Sequence, residues 1–98
     1  MLTDTDKSNM KEFYQAVISL ETEEECSAFF DDICTIKELI DISSRLQVAK
    51  LLDEGIVFNE ISQRTGCSSA TISRVNKCLQ FGPGGYRSVL DKLKSKQD

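Results

Sequence analysis

The sequence predicts an all-α fold of six helices. Apolar residues recur at the three- and four-residue spacing of an amphipathic helix, and strand-like alternation is absent over any useful length. Helix breakers are few, with five glycines and one proline, Pro83, among 98 residues. Serine and threonine capping signals, together with the glycines, divide this helical pattern into six segments.

The first helix is predicted over residues 8–20, after a flexible N-terminus of residues 1–7. Ser8 is a suitable N-cap, because its hydroxyl can accept a hydrogen bond from a free backbone N–H of the first turn. The apolar face is wide and comprises Met10, Phe13, Tyr14, Val17, Ile18 and Leu20.

Two capping boxes mark the second and third helices, which are predicted over residues 22–33 and 35–54. In each box a threonine stands three residues before a glutamate, so that each side chain can satisfy a backbone N–H of the other residue. The pairs are Thr22 with Glu25 and Thr35 with Glu38, and Gly55 provides the C-terminal stop. The second helix is expected to bury Cys26, Phe29, Phe30 and Ile33. The third continues through the apolar residues Ile36, Leu39, Ile40, Leu46, Ala49, Leu51 and Leu52.

The remaining helices are shorter. Two of them, predicted over residues 58–65 and 69–79, are separated by Gly66, and Ser68 is the N-cap of the second. The segment FGPGG is a turn, since proline lacks an N–H and glycine reaches positive φ. The last helix is predicted over residues 85–94, with Tyr86, Val89, Leu90 and Leu93 facing inward.

A chain of this length makes one domain, residues 1–98. The helices of residues 8–55 are apolar on more than one stripe, and such helices need partners on two sides. We therefore expect residues 8–55 to form the dimerisation part of an intertwined homodimer, residues 57–79 a helix-turn-helix, and residues 84–95 a C-terminal helix.

Composition excludes several classes of protein. No apolar run approaches the length of a membrane span, and the polar N-terminus does not resemble a signal peptide, so we expect a cytoplasmic protein. The four cysteines contain no CxxC pair and there is no histidine, which argues against a metal site. We interpret the cysteines as small buried apolar residues. An enzyme is not expected, because the adjacent carboxylates of Asp31 and Asp32 point about 100° apart on a helix.

The formal net charge of −4 is unevenly distributed. Residues 1–61 carry fourteen acidic and five basic side chains, whereas residues 62–98 carry two acidic and seven basic ones. A polyanion responds to the charge of the surface that faces it, because salt screens fields beyond roughly 8–10 Å. The basic C-terminal part can therefore face nucleic acid, although its lysines also fit an ordinary solvated helix face.

Residues 58–77 meet the requirements of a helix-turn-helix. The first helix supplies an apolar contact at Ile61 and a small residue, Ser62, where the two helices approach. Gly66 suits the left-handed position of the turn, and Cys67 follows it as an apolar residue. Two apolar residues three apart, Ile72 and Val75, complete the packing on the second helix.

The outer face of this second helix carries small and hydrogen-bonding side chains, so the helix can enter the roughly 12 Å major groove. The stretch SxxTISRV within GCSSATISRVNK resembles the recognition helices of bacterial repressors. On this interpretation Ser68 caps the helix and the next residues contact DNA. We expect base edges and thymine methyls to be contacted by Ser69, Ala70 and Ser73. Phosphates or the groove rim are expected to be contacted by Thr71, Arg74 and Lys77.

The resemblance extends to most of the chain. The segments FFDDICTIKEL, RLQVAKLLDEG and TGCSSATISRVNKCL resemble the Trp repressor superfamily, and in detail the YerC/YecD-type TrpR-related proteins, over about residues 8 to 95. The resemblance implies an intertwined, all-helical homodimer that acts as a DNA-binding transcriptional regulator, a repressor located at the bacterial nucleoid. It also implies two heads that read half-sites roughly 34–36 Å apart.

The corepressor pocket of that family carries over in part. By motif position its two arginines fall on Arg45 and Arg74, and a pocket threonine falls on Thr71. A glycine of the family is Val75 here and a serine is Cys78, and overfilling a packed site costs about 1–3 kcal/mol. We therefore expect no tryptophan cofactor, and Arg45, Thr71, Arg74 and Val75 remain a candidate pocket for another small anionic effector.

Two alternatives stay open. Arg45 can instead form an i,i−4 salt bridge with Asp41. The whole chain can instead be a helical protein–protein interaction module without DNA affinity, whose docking face is the acidic part around residues 23–25 and the pair Asp31 and Asp32. Asn59, which stands where the family has a basic residue, removes one expected DNA contact.

Overall fold

The computed structural model describes residues 1–97 and is all-α, as predicted. The helices in this range are α1 (Asp4–Ile18), α2 (Glu23–Ile33), α3 (Ile36–Asp53), α4 (Phe58–Thr65), α5 (Ser69–Phe81) and α6 (Gly85–Gln97). No strand occurs among the described residues. The chain forms two compact units, Met1–Leu39 and Ile40–Asp98. That residues 1–98 act as a single domain stays a prediction.

Helix α1 begins earlier than predicted. Its N-cap is Thr3 rather than Ser8, because Thr3 and Asp6 form a full capping box that the sequence interpretation overlooked. The Asp6 backbone N–H donates to the Thr3 hydroxyl at 3.0 Å, and the Thr3 N–H donates to the Asp6 carboxylate at 3.0 Å. Residues 4–7, expected to belong to a flexible N-terminus, are therefore helical.

Helix α2 starts at its predicted cap. The Glu25 backbone N–H donates to the Thr22 hydroxyl, but the Glu25 carboxylate accepts from the N–H of Glu21 and not from that of Thr22. Aromatic rings join α2 to α1: the ring of Phe29 lies 6.1 Å from Phe13 and 5.5 Å from Phe30, between centroids. Rings at these separations attract each other beyond the area they bury.

The first unit has no fully buried side chain among residues 1–39, all of which the structure describes. Cys26, Phe29 and Phe30 are half-buried, and the expectation that Ile33 is buried is wrong. Large apolar side chains exposed on α1, α2 and the start of α3 are Met10, Tyr14, Ile18, Ile33, Ile36 and Ile40.

Helix α3 has the predicted boundaries to within a residue. Thr35 and Glu38 form the predicted capping box, with hydrogen bonds of 2.9 and 3.1 Å. At the other end Gly55 takes the left-handed conformation, φ 82°, and its N–H donates to the carbonyl oxygen of Leu52. The chain can turn there because glycine has no Cβ to clash in this conformation.

The hydrophobic core belongs to the second unit. It combines residues of α3, α4, α5 and α6, namely Val48, Ala49, Leu51, Ile61, Ile72, Val75 and Leu90. Helices α5 and α6 run two or three residues beyond their predicted ends. On α6 the inward prediction is confirmed for Leu90, whereas Val89 and Leu93 are exposed. No helix within residues 1–97 combines the length and apolar content needed to span a bilayer.

Candidate nucleic-acid interface

Helices α4 and α5 pack against each other across a three-residue turn. Ile61 of α4 and Ile72 of α5 are both fully buried, and Val75 is only 2% exposed. Gly66 ends α4 in the left-handed conformation, φ 73°, and its N–H donates to the carbonyl oxygen of Ser62. The packing residues and the turn residue are those that the sequence indicated.

Three side-chain hydrogen bonds fix this turn. The Ser62 hydroxyl donates to the carbonyl oxygen of Cys67 at 3.0 Å. The Thr65 hydroxyl donates to the carbonyl oxygen of Ile61 at 2.8 Å and accepts from the N–H of Cys67 at 3.2 Å. Because these groups are partly buried, loss of any of these bonds would leave a polar group without a partner, which costs stability.

Ser68 caps α5 as predicted. Its hydroxyl accepts from the backbone N–H of Thr71 at 3.2 Å and lies 3.2 Å from the Thr71 hydroxyl, to which it can donate. Thr71 is half-buried, so its side chain is less available to DNA than those of its neighbours. Among the predicted phosphate contacts, Arg74 and Lys77 remain exposed.

The exposed face of α5 consists of small and basic side chains. Ser69, Ala70, Ser73, Arg74 and Lys77 are all exposed, whereas Ile72 and Val75 between them are buried. The small side chains let the helix axis approach a partner surface closely, and the two cations can pair with an anion. On α4 the carboxylate of Glu60 is paired with Arg64 at 3.2 Å.

A cavity adjoins the exposed face of α5, and the two surfaces share Arg74. The cavity measures about 210 Å³ and is lined by Arg45, Thr71, Arg74, Val75, Cys78 and Tyr86. The structure therefore brings together the four residues of the candidate effector pocket. Arg45 belongs to α3 and precedes the other three, which belong to α5, by 26 or more positions. A wider apolar groove of about 600 Å³ adjoins it and shares Arg45, Cys78 and Tyr86.

Tyr86 and Cys78 complete the cavity. Burial raises the pKa of the Tyr86 phenol above its ordinary value of 10.0; the nearby Cys78 thiol raises it further, and the charges of Arg45 and Arg74 oppose the shift. Cys78 is exposed, contrary to the expectation that the cysteines are buried, whereas Cys26, Cys34 and Cys67 are half-buried. All four thiols are free.

An ion-pair cluster joins the end of α3 to α6. The two Asp53 carboxylate oxygens accept from the Arg87 guanidinium at 2.6 Å and from the Lys94 ammonium at 2.7 Å. These hydrogen bonds, the one from Lys94 foremost, lower the pKa of Asp53 below its ordinary value of 3.8. Sequence reasoning missed this cluster because its members are 34 and 41 positions apart.

An all-helical chain with this helix pair and this exposed basic face has the architecture of DNA-binding transcription regulators. The comparison with known families agrees. The family described as Trp repressor protein matches residues 8–94, so the chain belongs to the Trp repressor family. This is a family of transcription regulators and not of enzymes.

Individual relatives show the same similarity. The chain is 44% identical over 85 residues to the uncharacterised protein YerC of Bacillus subtilis (strain 168), covering 87% of this chain and 82% of YerC. It superposes on a TrpR-like protein from Eubacterium eligens ATCC 27750 with a TM-score of 0.86 and 41% identity, covering 89% of this chain and 90% of the other. It superposes on a candidate Trp repressor from Staphylococcus aureus with a TM-score of 0.85 and 41% identity, covering 95% of this chain and 96% of the other. The predicted family and the all-α fold class are confirmed, whereas the intertwined homodimer stays a prediction.

Two further features of the site escaped the sequence interpretation. Tyr86 was expected to be inward-facing, but its place in the cavity wall depends on how α6 packs, which no local pattern encodes. The pair of Glu60 and Arg64 follows an i,i+4 spacing that sequence inspection could have found.

Proposed function

We propose that this protein is a sequence-specific DNA-binding transcriptional regulator, a repressor, in which α4 and α5 form a helix-turn-helix and α5 lies in the major groove. The observation that supports this best is the division of α5 into a buried face and an exposed face of small and basic side chains. In this arrangement Ser69, Ala70 and Ser73 contact base edges, and Arg74 and Lys77 contact phosphates.

Ser68 and Thr71 have different roles from the residues that contact bases and phosphates. Ser68 uses its hydroxyl to cap α5, so it supports the helix more than it reads bases. Thr71 lies between the cap and the cavity, so any phosphate contact it makes is at the groove rim. A regulator of this kind acts at the chromosome, and we accordingly propose a cytoplasmic, nucleoid-associated bacterial protein.

We further propose that it acts as a homodimer through residues 8–55. The exposed apolar side chains of α1, α2 and the first part of α3 support this, because a second copy of the chain would cover them. Two α5 helices in a symmetric dimer would then read half-sites roughly 34–36 Å apart. Sedimentation equilibrium tests the stoichiometry, and a monomer at micromolar concentration would contradict it.

DNA binding is tested by selecting duplexes from random sequence and titrating the best one at rising salt from about 50 mM, where phosphate contacts are strongest. We expect the double variant Arg74→Ala/Lys77→Ala to bind more weakly and to reduce the slope of log K against log salt by about 1.8, or about 0.9 for each phosphate that is no longer neutralised. The matched control is Lys92→Ala/Lys96→Ala, which removes the same charge from exposed positions of α6.

An unchanged salt slope in the α5 variant, or equal effects of the two double variants, would contradict this interface. Failure of the wild-type protein to bind any duplex at about 50 mM salt would favour the alternative of a protein–protein interaction module. In that case the acidic face around residues 23–25, with Asp31 and Asp32, becomes the candidate docking surface.

A second proposal concerns the cavity beside α5. Arg45 and Arg74 both line it, so a small anionic effector is the ligand class that suits it, and Val75 with Cys78 disfavours tryptophan. An effector bound there would contact α5 directly and could change DNA affinity. Screening small carboxylates and phosphates by thermal shift tests this, with Arg45→Gln as the variant expected to abolish any shift.

A further inference from the structure

Helix α6 is attached to the core of the second unit by a narrow apolar contact. Leu90 is 3% exposed and the half-buried Tyr86 also packs against the core, but Val89 and Leu93 on either side of Leu90 are close to half exposed. The apolar contact of α6 thus consists of one fully buried and one half-buried side chain, Leu90 and Tyr86. A second attachment is therefore needed if α6 is to hold a fixed place.

The Asp53 cluster supplies that attachment. Arg87 and Lys94 are seven residues apart on α6, with Leu90 between them at i+3, so all three lie on one helical face. Both cations reach the same carboxylate, at 2.6 and 2.7 Å, and the Asp53 side chain is only 10% exposed although its partners are about half exposed. Asp53 is also the last residue of α3, where the helix dipole favours cations.

Tyr86 depends on this attachment through its neighbour in sequence. It immediately precedes Arg87 and lies in the first turn of α6, where it is half-buried and forms part of the cavity wall opposite Arg74 and Val75 of α5. If Arg87 is released, the turn that carries Tyr86 is released with it. The cavity-lining side of α5 would then lack a packed wall.

We propose that Asp53 is a positioning residue: by holding Arg87 and Lys94 it fixes Tyr86 against the cavity-lining side of α5 and so keeps the recognition helix in its binding orientation. The second half of this statement rests on the proposed DNA-binding function. The first half concerns the structure of the second unit alone and has its own measurement.

The experiment compares Asp53→Asn with Glu54→Gln. The two substitutions remove the same charge at adjacent positions of the chain, and Glu54 makes no side-chain ion pair or hydrogen bond that the structure describes. Loss of one negative charge would by itself strengthen DNA binding equally in both variants. Positioning predicts instead that Asp53→Asn binds the selected duplex about tenfold more weakly than Glu54→Gln, and that Asp53→Glu restores most of the difference.

The independent readout is the exposure of Tyr86. The chain has two tyrosines and no tryptophan, so in a Tyr14→Phe background the fluorescence reports Tyr86 alone. Acrylamide quenching is expected to rise about twofold in Asp53→Asn and to stay unchanged in Glu54→Gln. A larger quenching constant is what release of a half-buried ring requires.

The outcomes separate the two claims. Equal quenching in the two variants overturns the positioning role of Asp53, whatever happens with DNA. Increased quenching in a protein that binds no duplex supports the positioning of Tyr86 and overturns only the proposed function. If Asp53→Asn fails to fold by circular dichroism, Lys94→Gln removes one arm of the cluster, with Lys92→Gln as its matched control, and the same difference in quenching decides.

Discussion

The hydroxyl of Ser62 donates a hydrogen bond to the backbone carbonyl oxygen of Cys67 at 3.0 Å, across the turn that joins α4 to α5. A small residue at position 62 was predicted for close approach of the two helices. The hydroxyl adds a second contribution, since it satisfies a partly buried carbonyl group that would otherwise lack a partner where the chain leaves the left-handed Gly66.

We expect Ser62→Ala to lower the free energy of unfolding by about 1 kcal/mol relative to Ser73→Ala, measured by urea denaturation. Both substitutions gain the same helix propensity, so their difference isolates the hydrogen bond. Ser73 is exposed on α5 and makes no side-chain hydrogen bond that the structure describes. Equal midpoints for the two variants would show that the Ser62 bond contributes nothing to stability.

Gly66→Ala is expected to cost about 1 kcal/mol, because an alanine at φ 73° is strained by its own backbone. A Cβ at this position meets nothing within 4 Å, so packing does not contribute to the destabilisation. Gly85→Ala is the matched control, as it has equal space and no positive φ. Thermal unfolding distinguishes them, and Gly66→Asn should recover part of the stability, since asparagine tolerates this conformation.

Val75 should exclude tryptophan. Its side chain is 2% exposed and lies in the cavity wall, where the family's glycine would leave open space. We expect calorimetry with millimolar tryptophan to show no saturable heat and the melting temperature to stay constant. A saturable heat would overturn this expectation. Val75→Gly is expected to destabilise the fold by about 2–4 kcal/mol, from the cavity it leaves and the glycine it places in α5.

Acid should weaken the attachment of α6. The pKa of Asp53 is lowered in the folded protein by its hydrogen bonds to Lys94 and Arg87. A carboxyl group with a lowered folded pKa contributes stability that is fully present above the ordinary value of 3.8 and is lost as pH falls through the lowered value. Urea midpoints measured between about pH 6 and pH 2 should therefore fall less steeply for Asp53→Asn than for the wild type. Parallel curves would contradict the role of this carboxylate.

The sequence determined the fold class and the position of the helix pair. Capping at Thr22, Thr35 and Ser68 and the left-handed glycines at 55 and 66 are local effects, encoded within four or five residues, and all occur where predicted. The helix start was misplaced in α1 because the box of Thr3 and Asp6 lies in a stretch that composition alone marks as polar and flexible.

The candidate site was predictable in part for the same reason. The exposed face of α5 follows from a single helical periodicity, so its members could be named from the sequence. The exposure of apolar side chains could not be predicted in this way. Ile18, Ile33 and Ile36 have the apolar side chains typical of a core, and their burial depends on what packs against them.

Tertiary structure alone decided the surroundings of α5. The cavity unites Arg45 with Arg74 and Tyr86, and the cluster unites Asp53 with residues 34 and 41 positions later. Such contacts depend on how three helices pack, and each residue's own neighbours in sequence carry no signal of them. The sequence thus specified the exposed face of α5 that we propose for DNA, and packing specified which distant residues lie around that helix.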